Sequence, residues 1–389
     1  MGDCLARICV VHWSLTRSFG GAERLCIETV NALTEEGNIV DLVVTEKTNL
    51  QILKQRYNHE LLARKELVIF PSILMPSVFA NLLNWFLRDI VFVPIIKKRY
   101  DLTINTGPLI PNSFDDLMYI QDYPGKLHIH GKYRFNLWRP YSLLYDTFVS
   151  IIFRFSKLLK KMPILLINSQ FNKHAAEKYL NADTTVLYPP VDVECYLPLS
   201  SLDVRENIVL TISRIDESKG LELIPYVASK VDCAKFVIIG SVGSESCFQN
   251  LQKLIKELGL EKKVLVISNA SELLKKEYLA KAKIYLHSSR YEAFGISVVE
   301  AMASGLLPIV FANGAPWVDI LNETQGLYGY GYSDPISCAN LIRIVLSNDS
   351  LRNEIIQRAI TRSFSFSRRN YKKRLIELVG KSMRSQNNR

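Results

Sequence analysis

The strongest constraint on this chain is an alternation of short β-branched segments with helical segments, which occurs once in each half. In the N-terminal half the predicted strands are 8–12, 39–44, 101–105 and 164–168, and a helix is predicted over 22–36. In the C-terminal half the predicted strands are 208–212, 236–239, 264–267, 284–287 and 307–311. This rhythm is typical of parallel sheets with crossover helices. The sequence therefore predicts an α/β protein with two Rossmann-like domains.

The length of the chain also favours two separate cores. With 389 residues, the chain exceeds the usual size of a single domain. Consecutive prolines at 189–190 forbid helix and favour an extended connector, which we place near 188–205. We expect an N-terminal domain over 1–190, a C-terminal domain over 191–365, and a final helix with a basic tail over 366–389.

The cysteines indicate the redox environment of the chain. Seven cysteines are scattered along it, without a C-x-x-C pair or a Cys/His cluster of zinc-ligand spacing. Neither a disulfide framework nor a metal site is predicted, and a reducing compartment fits. The first apolar run, 8–13, reads as a strand and not as a secretory signal. We expect a cytoplasmic protein that needs no metal and no cofactor.

The chain is basic. Its net charge of +10 is compatible with nucleic acid, an anionic membrane or a phosphorylated substrate as partner. The apolar segment 75–96 includes Trp85 and Phe86, and the basic run 97–99 follows it. An Arg-Asp pair at 88–89 argues against a membrane-spanning helix. This pattern predicts a helix that lies in a membrane interface, with an ordinary buried helix as the alternative.

The first motif with a chemical meaning is 19–24, FGGAER, between the strand 8–12 and the helix that follows it. Gly20 and Gly21 would let backbone amides approach a phosphate at the helix N-terminus. A tight structural turn is the alternative. The glycine spacing does not match the dinucleotide fingerprint G-x-G-x-x-G, so a dehydrogenase is not supported.

The second motif is 213–220, SRIDESKG, directly after the strand that opens the second domain. Arg214 and Lys219 lie five positions apart on this predicted loop. Both can face a cleft and neutralise a diphosphate leaving group without a metal. A solvated charged loop is the alternative.

The third motif is 292–305, EAFGISVVEAMASG. Glu292 precedes a predicted helix, and Glu300 falls two turns into it on an otherwise apolar face. Ribose hydroxyls would give the Glu300 carboxylate a partner, and Glu292 would reach a transferred sugar. The backbone amides of Phe294 and Gly295 would face phosphate at the helix start. The alternative is a surface helix with two unrelated acids.

These three motifs, in this order over nearly the whole chain, resemble the GT-B, family 4 retaining glycosyltransferases. The mark of that family is two glutamates separated by seven residues, and Glu292 and Glu300 have this spacing. The segments 188–192 and 313–316 look most like those of the mannosyltransferases, alpha-1,2-mannosyltransferases among them, that extend dolichol-linked oligosaccharides. The resemblance implies two Rossmann-like domains facing across a cleft, with a C-terminal helix crossing back to the first.

The resemblance also implies roles for the motif residues. Arg214 and Lys219 would hold the diphosphate, Glu300 the ribose and Glu292 the donor sugar. The implied donor is a nucleotide diphosphate hexose, with GDP-mannose favoured and a UDP-sugar as the alternative. The implied acceptor is a lipid-linked oligosaccharide or another glycan. The implied setting is the cytosolic face of a membrane, with no nucleic acid partner.

The chain departs from the family in its first domain. The family usually carries a histidine shortly after a strand, where this chain has Gln121. Asp122 is the catalytic candidate that remains, or the nearby His128 and His130, or no such group. A homologue that kept the fold, lost turnover and acts as a sugar-nucleotide-binding or scaffolding subunit is the alternative function. Acceptor binding is expected from four nearby side chains, Lys126, His128, Lys132 and Arg134.

Overall fold

The computed structural model describes residues 5–16, 20–57, 60–69, 93–107, 115–121, 162–201 and 205–387. The chain forms two compact units. The first contains Met1–Pro190 together with Tyr371–Arg389, and the second contains Val191–Asn370. The boundary near the C-terminus lies at 370, whereas the sequence placed it at 365.

The first unit is built on a parallel sheet. Its described strands are β1 (Arg7–Val11), β2 (Ile39–Val44), β3 (Lys65–Val68), β4 (Leu102–Asn105), β5 (Leu117–Ile120), β6 (Ile164–Ile167) and β7 (Thr185–Val186). They lie in the order β3-β2-β1-β4-β5-β6-β7. Ile8 of β1 pairs with Val40 on one side and Leu102 on the other. The strand order therefore reverses between β1 and β4, as in doubly wound sheets.

Helices cover this sheet. Those described are α1 (Gly21–Glu35), α2 (Leu50–Tyr57), α3 (Val93–Lys97), α4 (Gln170–Leu180) and the C-terminal α12 (Arg368–Asn387). Leu375 and Leu378 of α12 are buried in the same core cluster as Leu33 of α1. The hydroxyls of Tyr371 and Thr29 lie 2.6 Å apart. The final helix thus completes the core of the first unit, as the family resemblance implied.

The second unit repeats the plan. Its strands are β8 (Glu206–Ile212), β9 (Lys235–Gly240), β10 (Val264–Ser268), β11 (Ala282–His287), β12 (Leu307–Phe311) and β13 (Tyr330–Tyr332). They form a parallel sheet in the order β10-β9-β8-β11-β12-β13. Its helices are α5 (Val193–Tyr196), α6 (Leu223–Ala228), α7 (Glu245–Glu257), α8 (Glu272–Lys281), α9 (Ile296–Ala303), α10 (Pro335–Ser347) and α11 (Asp349–Ser363). Two parallel sheets confirm the predicted α/β class.

The predicted extended connector over 188–205 is wrong beyond its first residues. Helix α5 begins at Val193, and a 3-10 helix follows over Leu197–Ser201. The prolines at 189–190 constrain only their own positions and the residue before each, and Pro198 lies in the first turn of the 3-10 helix, where proline is tolerated.

The predicted interfacial segment over 75–96 lies outside the described residues except for 93–96, which begin α3. Among the helices that the structure describes, none is both long and apolar enough to cross a bilayer.

Candidate active site

The carboxyl ends of two strands in the second sheet place the predicted motifs side by side. The strand order reverses between β8 and β11, and ligands of doubly wound sheets bind at such a switch point, beyond the carboxyl ends of the strands. The loop 213–220 follows β8, and the loop that carries Glu292 follows β11. The second and third motifs therefore meet where this fold forms a crevice.

The two motifs are joined by an ion pair. Lys219 Nζ donates to Glu292 Oε2 at 2.6 Å, and His287 Nε2 lies 3.5 Å from the same oxygen. Burial would raise the pKa of Glu292, but Lys219 and His287 together outweigh it and hold this pKa well below its usual range. Glu292 is therefore ionised at neutral pH.

Hydrogen bonds from the β11 loop fix the backbone of Lys219. Ser288 Oγ donates to the Lys219 carbonyl at 2.8 Å, and Ser289 Oγ donates to the Ser218 carbonyl at 3.2 Å. Gly220 has a φ of 61°, and a Cβ there would lie 2.9 Å from the Ser288 carbonyl oxygen. Both the left-handed backbone and the close approach require glycine at this turn.

Arg214 is more exposed than Lys219. Its side chain is 60% accessible, and its Nε donates to the Asp216 carboxylate. Burial would raise the pKa of Asp216, but hydrogen bonds from Ser218 and Arg214 lower this pKa. Asp216 therefore stays charged and holds the Arg214 side chain without removing it from solvent, where an anionic ligand can reach it.

Two glycines at the end of β9 make room for the Arg214 loop. A Cβ on Gly240 would lie 1.8 Å from the Ser213 carbonyl oxygen, and a Cβ on Gly243 would lie 2.9 Å from the Arg214 Cγ and Cδ atoms. Neither glycine was among the residues predicted for the site. The signal was present as a Gly-x-x-Gly turn after the predicted strand 236–239.

Glu300 has a partner inside the protein. It is 3% exposed, and its Oε2 accepts a hydrogen bond from Lys275 Nζ at 3.0 Å. Lys275 also donates to the Tyr196 hydroxyl at 3.1 Å. Burial would lower the pKa of Lys275, but the Glu300 charge foremost raises it above its usual range. No local sequence pattern indicates this lysine, which lies 25 positions before Glu300. The ribose contact of Glu300 stays a prediction.

The start of α9 is set by close packing. The Phe294 side chain is buried edge-on against Phe366, with ring centroids 5.4 Å apart. Gly295 has a φ of 101°, and a Cβ there would lie 2.9 Å from Pro316 Cγ. Phe294 therefore anchors the loop by its ring, so any phosphate contact from these two residues would involve their backbone amides.

The turn after β12 holds the backbone of Glu292 in place. The Ala315 amide donates to the Glu292 carbonyl at 3.0 Å, and a Cβ on Gly314 would lie 3.2 Å from the Glu292 amide nitrogen. The family resemblance leads one to expect a glycine at 315. Ala315 has a φ of −62°, an ordinary helical value, so alanine fits there without strain.

In the first unit, Gly20 and Gly21 begin α1 as predicted. The Gly20 amide donates to Glu23 Oε2 at 2.8 Å, so a carboxylate of the chain itself caps this helix N-terminus. A phosphate contact of Gly20 and Gly21 stays a prediction.

The carboxyl edge of the first sheet carries a hydrogen-bonded polar group. Gln121 Nε2 donates to the Thr106 carbonyl at 2.9 Å, and Asn168 Nδ2 donates to the Gln121 carbonyl at 2.7 Å. His12, which ends the first predicted strand, is buried with its Nδ1 3.1 Å from the same Thr106 carbonyl. Gln121 is therefore held in one orientation. His12 was not among the predicted site residues.

The remaining predicted site residues, Asp122, Lys126, His128, His130, Lys132 and Arg134, lie outside the described residues. Across the described ranges, no group of three or more His, Cys, Asp and Glu side chains is placed to hold a metal ion.

Comparison with known protein families identifies the second unit. Residues 199–362 match the family described as Glycosyl transferases group 1. The match covers most of the second unit, which therefore resembles a group 1 glycosyltransferase domain. The ion pair between Lys219 and Glu292 lies within this domain, as does the pair between Lys275 and Glu300.

Relatives of this glycosyltransferase domain extend the likeness beyond it. The chain is 26% identical over 271 residues to GDP-Man:Man(3)GlcNAc(2)-PP-Dol alpha-1,2-mannosyltransferase of Dictyostelium discoideum, covering 64% of this chain and 52% of the relative. It is 24% identical over 363 residues to Alpha-1,3/1,6-mannosyltransferase ALG2 of Candida glabrata, covering 80% of this chain and 77% of the relative. The chain thus spans about half the length of the first of these relatives.

Solved structures show the fold of the whole chain. A glycosyltransferase from Rickettsia africae superposes with a TM-score of 0.71 at 18% identity, covering 97% of this chain and 99% of that one. Sucrose-phosphate synthase from Thermosynechococcus elongatus superposes with a TM-score of 0.75 at 15% identity, covering 98% of this chain and 100% of that one. The predicted GT-B fold is confirmed.

Proposed function

We propose that the chain is a retaining glycosyltransferase that moves a hexose, mannose favoured, from a nucleotide diphosphate sugar to a lipid-linked or other glycan acceptor. The observation that supports this most is the Lys219–Glu292 pair at 2.6 Å, formed by two separate motifs at the switch point of the second sheet.

In the proposed reaction, the bond between the anomeric carbon and the diphosphate oxygen breaks. A bond from the same carbon to the acceptor hydroxyl oxygen forms on the same face of the sugar, and the hydroxyl proton passes to the departing diphosphate. Negative charge grows on the diphosphate, and Arg214 and Lys219 provide two cations to stabilise it. Positioning and charge neutralisation then replace a strong protein base, which accounts for Gln121 in place of a histidine.

The two glutamates would act on the donor as hydrogen-bond acceptors. Glu292 is ionised, and an ionised carboxylate accepts from several donors at once, so it can bind sugar hydroxyls beside Lys219. Glu300 would accept from ribose hydroxyls while Lys275 neutralises its charge. The site as proposed needs no metal and no cofactor other than the sugar nucleotide as co-substrate.

GDP-mannose is the favoured donor because both relatives named above are called mannosyltransferases, and the name of the Dictyostelium relative includes GDP-Man. A UDP-sugar is the alternative. A lipid-linked oligosaccharide is the favoured acceptor, since the Dictyostelium relative is named for a dolichol-linked one.

We also propose that the protein acts as a peripheral protein on the cytosolic membrane face. Ile95 is 57% exposed on α3, close in sequence to the exposed cations of Lys98 and Arg99. An exposed apolar side chain next to exposed basic ones suits an anionic lipid surface. Lys97 contributes less, because its Nζ donates to Asp116 at 2.7 Å.

A transfer assay tests the proposal. The purified chain would be incubated with radiolabelled GDP-mannose or UDP-glucose and a lipid-linked oligosaccharide acceptor, and the label followed into the lipid extract. We expect label in the lipid fraction with GDP-mannose. Hydrolysis alone, or no reaction with either donor, would contradict transfer and favour a binding or scaffolding homologue.

A further inference from the structure

One buried side chain at the candidate active site has no part in the reaction proposed above. His287 ends β11, and its side chain is only 7% exposed. Its Nε2 lies 3.5 Å from Glu292 Oε2, whereas its Nδ1 is buried and finds no hydrogen-bond partner among the described residues. The Tyr332 hydroxyl donates to the His287 carbonyl at 3.1 Å, which fixes the backbone beneath the ring.

This asymmetry selects one form of the imidazole ring. A neutral histidine carries a proton on one ring nitrogen and a lone pair on the other. A buried N–H without an acceptor is costly, so the proton is disfavoured on Nδ1 of His287. On Nε2 the proton lies toward the Glu292 carboxylate, 3.5 Å away. The arrangement therefore favours His287 as an Nε2–H donor to Glu292.

Glu292 needs such a donor when the sugar nucleotide binds. In the structure its closest partner is the Lys219 ammonium, at 2.6 Å. In the proposed reaction the same ammonium stabilises the diphosphate, whose charge competes with the carboxylate for Lys219. A carboxylate that loses its cation is free to rotate unless another donor holds it.

We infer that His287 is a positioning residue, which holds the Glu292 carboxylate through its Nε2–H while Lys219 turns to the donor diphosphate. This inference rests on the proposed function. Hydrogen bonds at active sites commonly shorten when a substrate binds, and a contact of 3.5 Å is within reach of such shortening. Glu292 would thus keep its orientation toward the donor sugar throughout the transfer.

Three substitutions at one position test the inference. His287→Gln places an amide N–H near the position of Nε2, His287→Asn places one only near Nδ1, and His287→Met fills the volume without a donor. We expect His287→Gln to keep kcat within about threefold, and the other two to lower kcat about tenfold to a hundredfold through misplacement of Glu292. Affinity for the nucleoside diphosphate without sugar should stay unchanged in all three, since Glu292 is assigned to the sugar.

A second measurement does not depend on turnover. The chain has six histidines, so selective ¹⁵N labelling gives few ring signals, and His287→Gln identifies the one that belongs to His287. We expect the ring proton on Nε2, the nitrogen that faces Glu292. A proton on Nδ1, or an active parent whose Asn and Met variants keep its kcat, would overturn the inference. A parent that transfers no sugar from any donor would instead contradict the proposed function, whatever the ring signal shows.

Discussion

At the residue scale, the two carboxylates of the 292–305 motif have different surroundings. Glu292 is half-buried and forms an ion pair with Lys219, whereas Glu300 is buried and forms an ion pair with Lys275. Glu292 can therefore meet a ligand directly. Glu300 also has a structural task, because its charge neutralises a cation inside the second unit.

The first prediction concerns this buried pair. Because the side chain of Lys275 is only 14% exposed and that of Glu300 only 4%, removing either one leaves the other charge buried without its main partner. Lys275→Met should destabilise the second unit by about 3–5 kcal/mol, and Glu300→Ala by a similar amount. We therefore do not expect the fold to tolerate Glu300→Ala without this loss of stability.

Chemical denaturation of the variants measures this cost. The matched control is Lys253→Met, which removes the solvent-exposed Lys253–Glu257 pair and should cost less than about 1 kcal/mol. The double variant Lys275→Met with Glu300→Leu should recover much of the lost stability, because both charges are gone. Equal effects of Lys275→Met and Lys253→Met would show that the buried pair is not formed.

The second prediction concerns pH. The folded-state pKa of Glu292 is lowered, so the stability contributed by its pair is present above the unfolded pKa and is lost as the pH falls through the folded pKa. The difference in Tm between the parent and Glu292→Gln should therefore stay constant between about pH 6 and 9 and shrink below about pH 4. A difference that already changes around neutral pH would contradict an ionised, paired Glu292.

At the element scale, the third prediction concerns the end of β9. Gly240→Ala should displace the Ser213 backbone and with it Arg214, because the new Cβ would lie 1.8 Å from a carbonyl oxygen. We expect about a tenfold or greater loss of affinity for a nucleoside diphosphate, measured by calorimetry. Gly380→Ala is the control, since nothing lies within 4 Å of its added Cβ and helices favour alanine. Unchanged affinity in Gly240→Ala would remove Arg214 from the donor site.

The strands show how far the sequence could be read. The predicted strands 39–44 and 307–311 have the same bounds in the structure, because both are apolar runs inside a parallel sheet, interrupted in the first only by Asp41. Three of the unpredicted strands, β3, β7 and β13, are sheet edges with a single neighbour, where burial imposes no strong apolar pattern. β3, for example, reads KELV. The fourth, β5, is an interior strand of only four residues.

At the scale of the whole molecule, local motifs revealed the site only in part. The sequence alone predicted the pair Glu292 and Glu300. It also predicted the loop with Arg214 and Lys219. Each pair lies on one short segment, so a local pattern is enough to reveal it. Lys275 was not predicted, because its contact joins two helices and it lies 25 positions from Glu300. His287 was not predicted, because only the folded loop after β11 brings its Nε2 to 3.5 Å from Glu292.

The fourth prediction concerns the membrane. If α3 and the turn after it contact anionic lipid, Lys98→Glu together with Arg99→Glu should weaken binding to anionic liposomes severalfold, and salt should weaken binding of the parent. Sedimentation with anionic and neutral liposomes measures this. The control is Lys253→Glu, which changes an exposed charge in the second unit. Equal binding of both variants would exclude this surface as the lipid contact.

The central claim is that Lys219 and Glu292 form the donor site of a glycosyltransferase. The most direct test is the single-turnover rate of radiolabelled mannose transfer from GDP-mannose to a lipid-linked acceptor, compared between the parent and Lys219→Met. We predict measurable transfer by the parent and a rate lower by about 10²–10³-fold in Lys219→Met, since one cation that stabilises the departing diphosphate is lost. Equal rates in the two proteins, or no transfer by the parent, would contradict the claim.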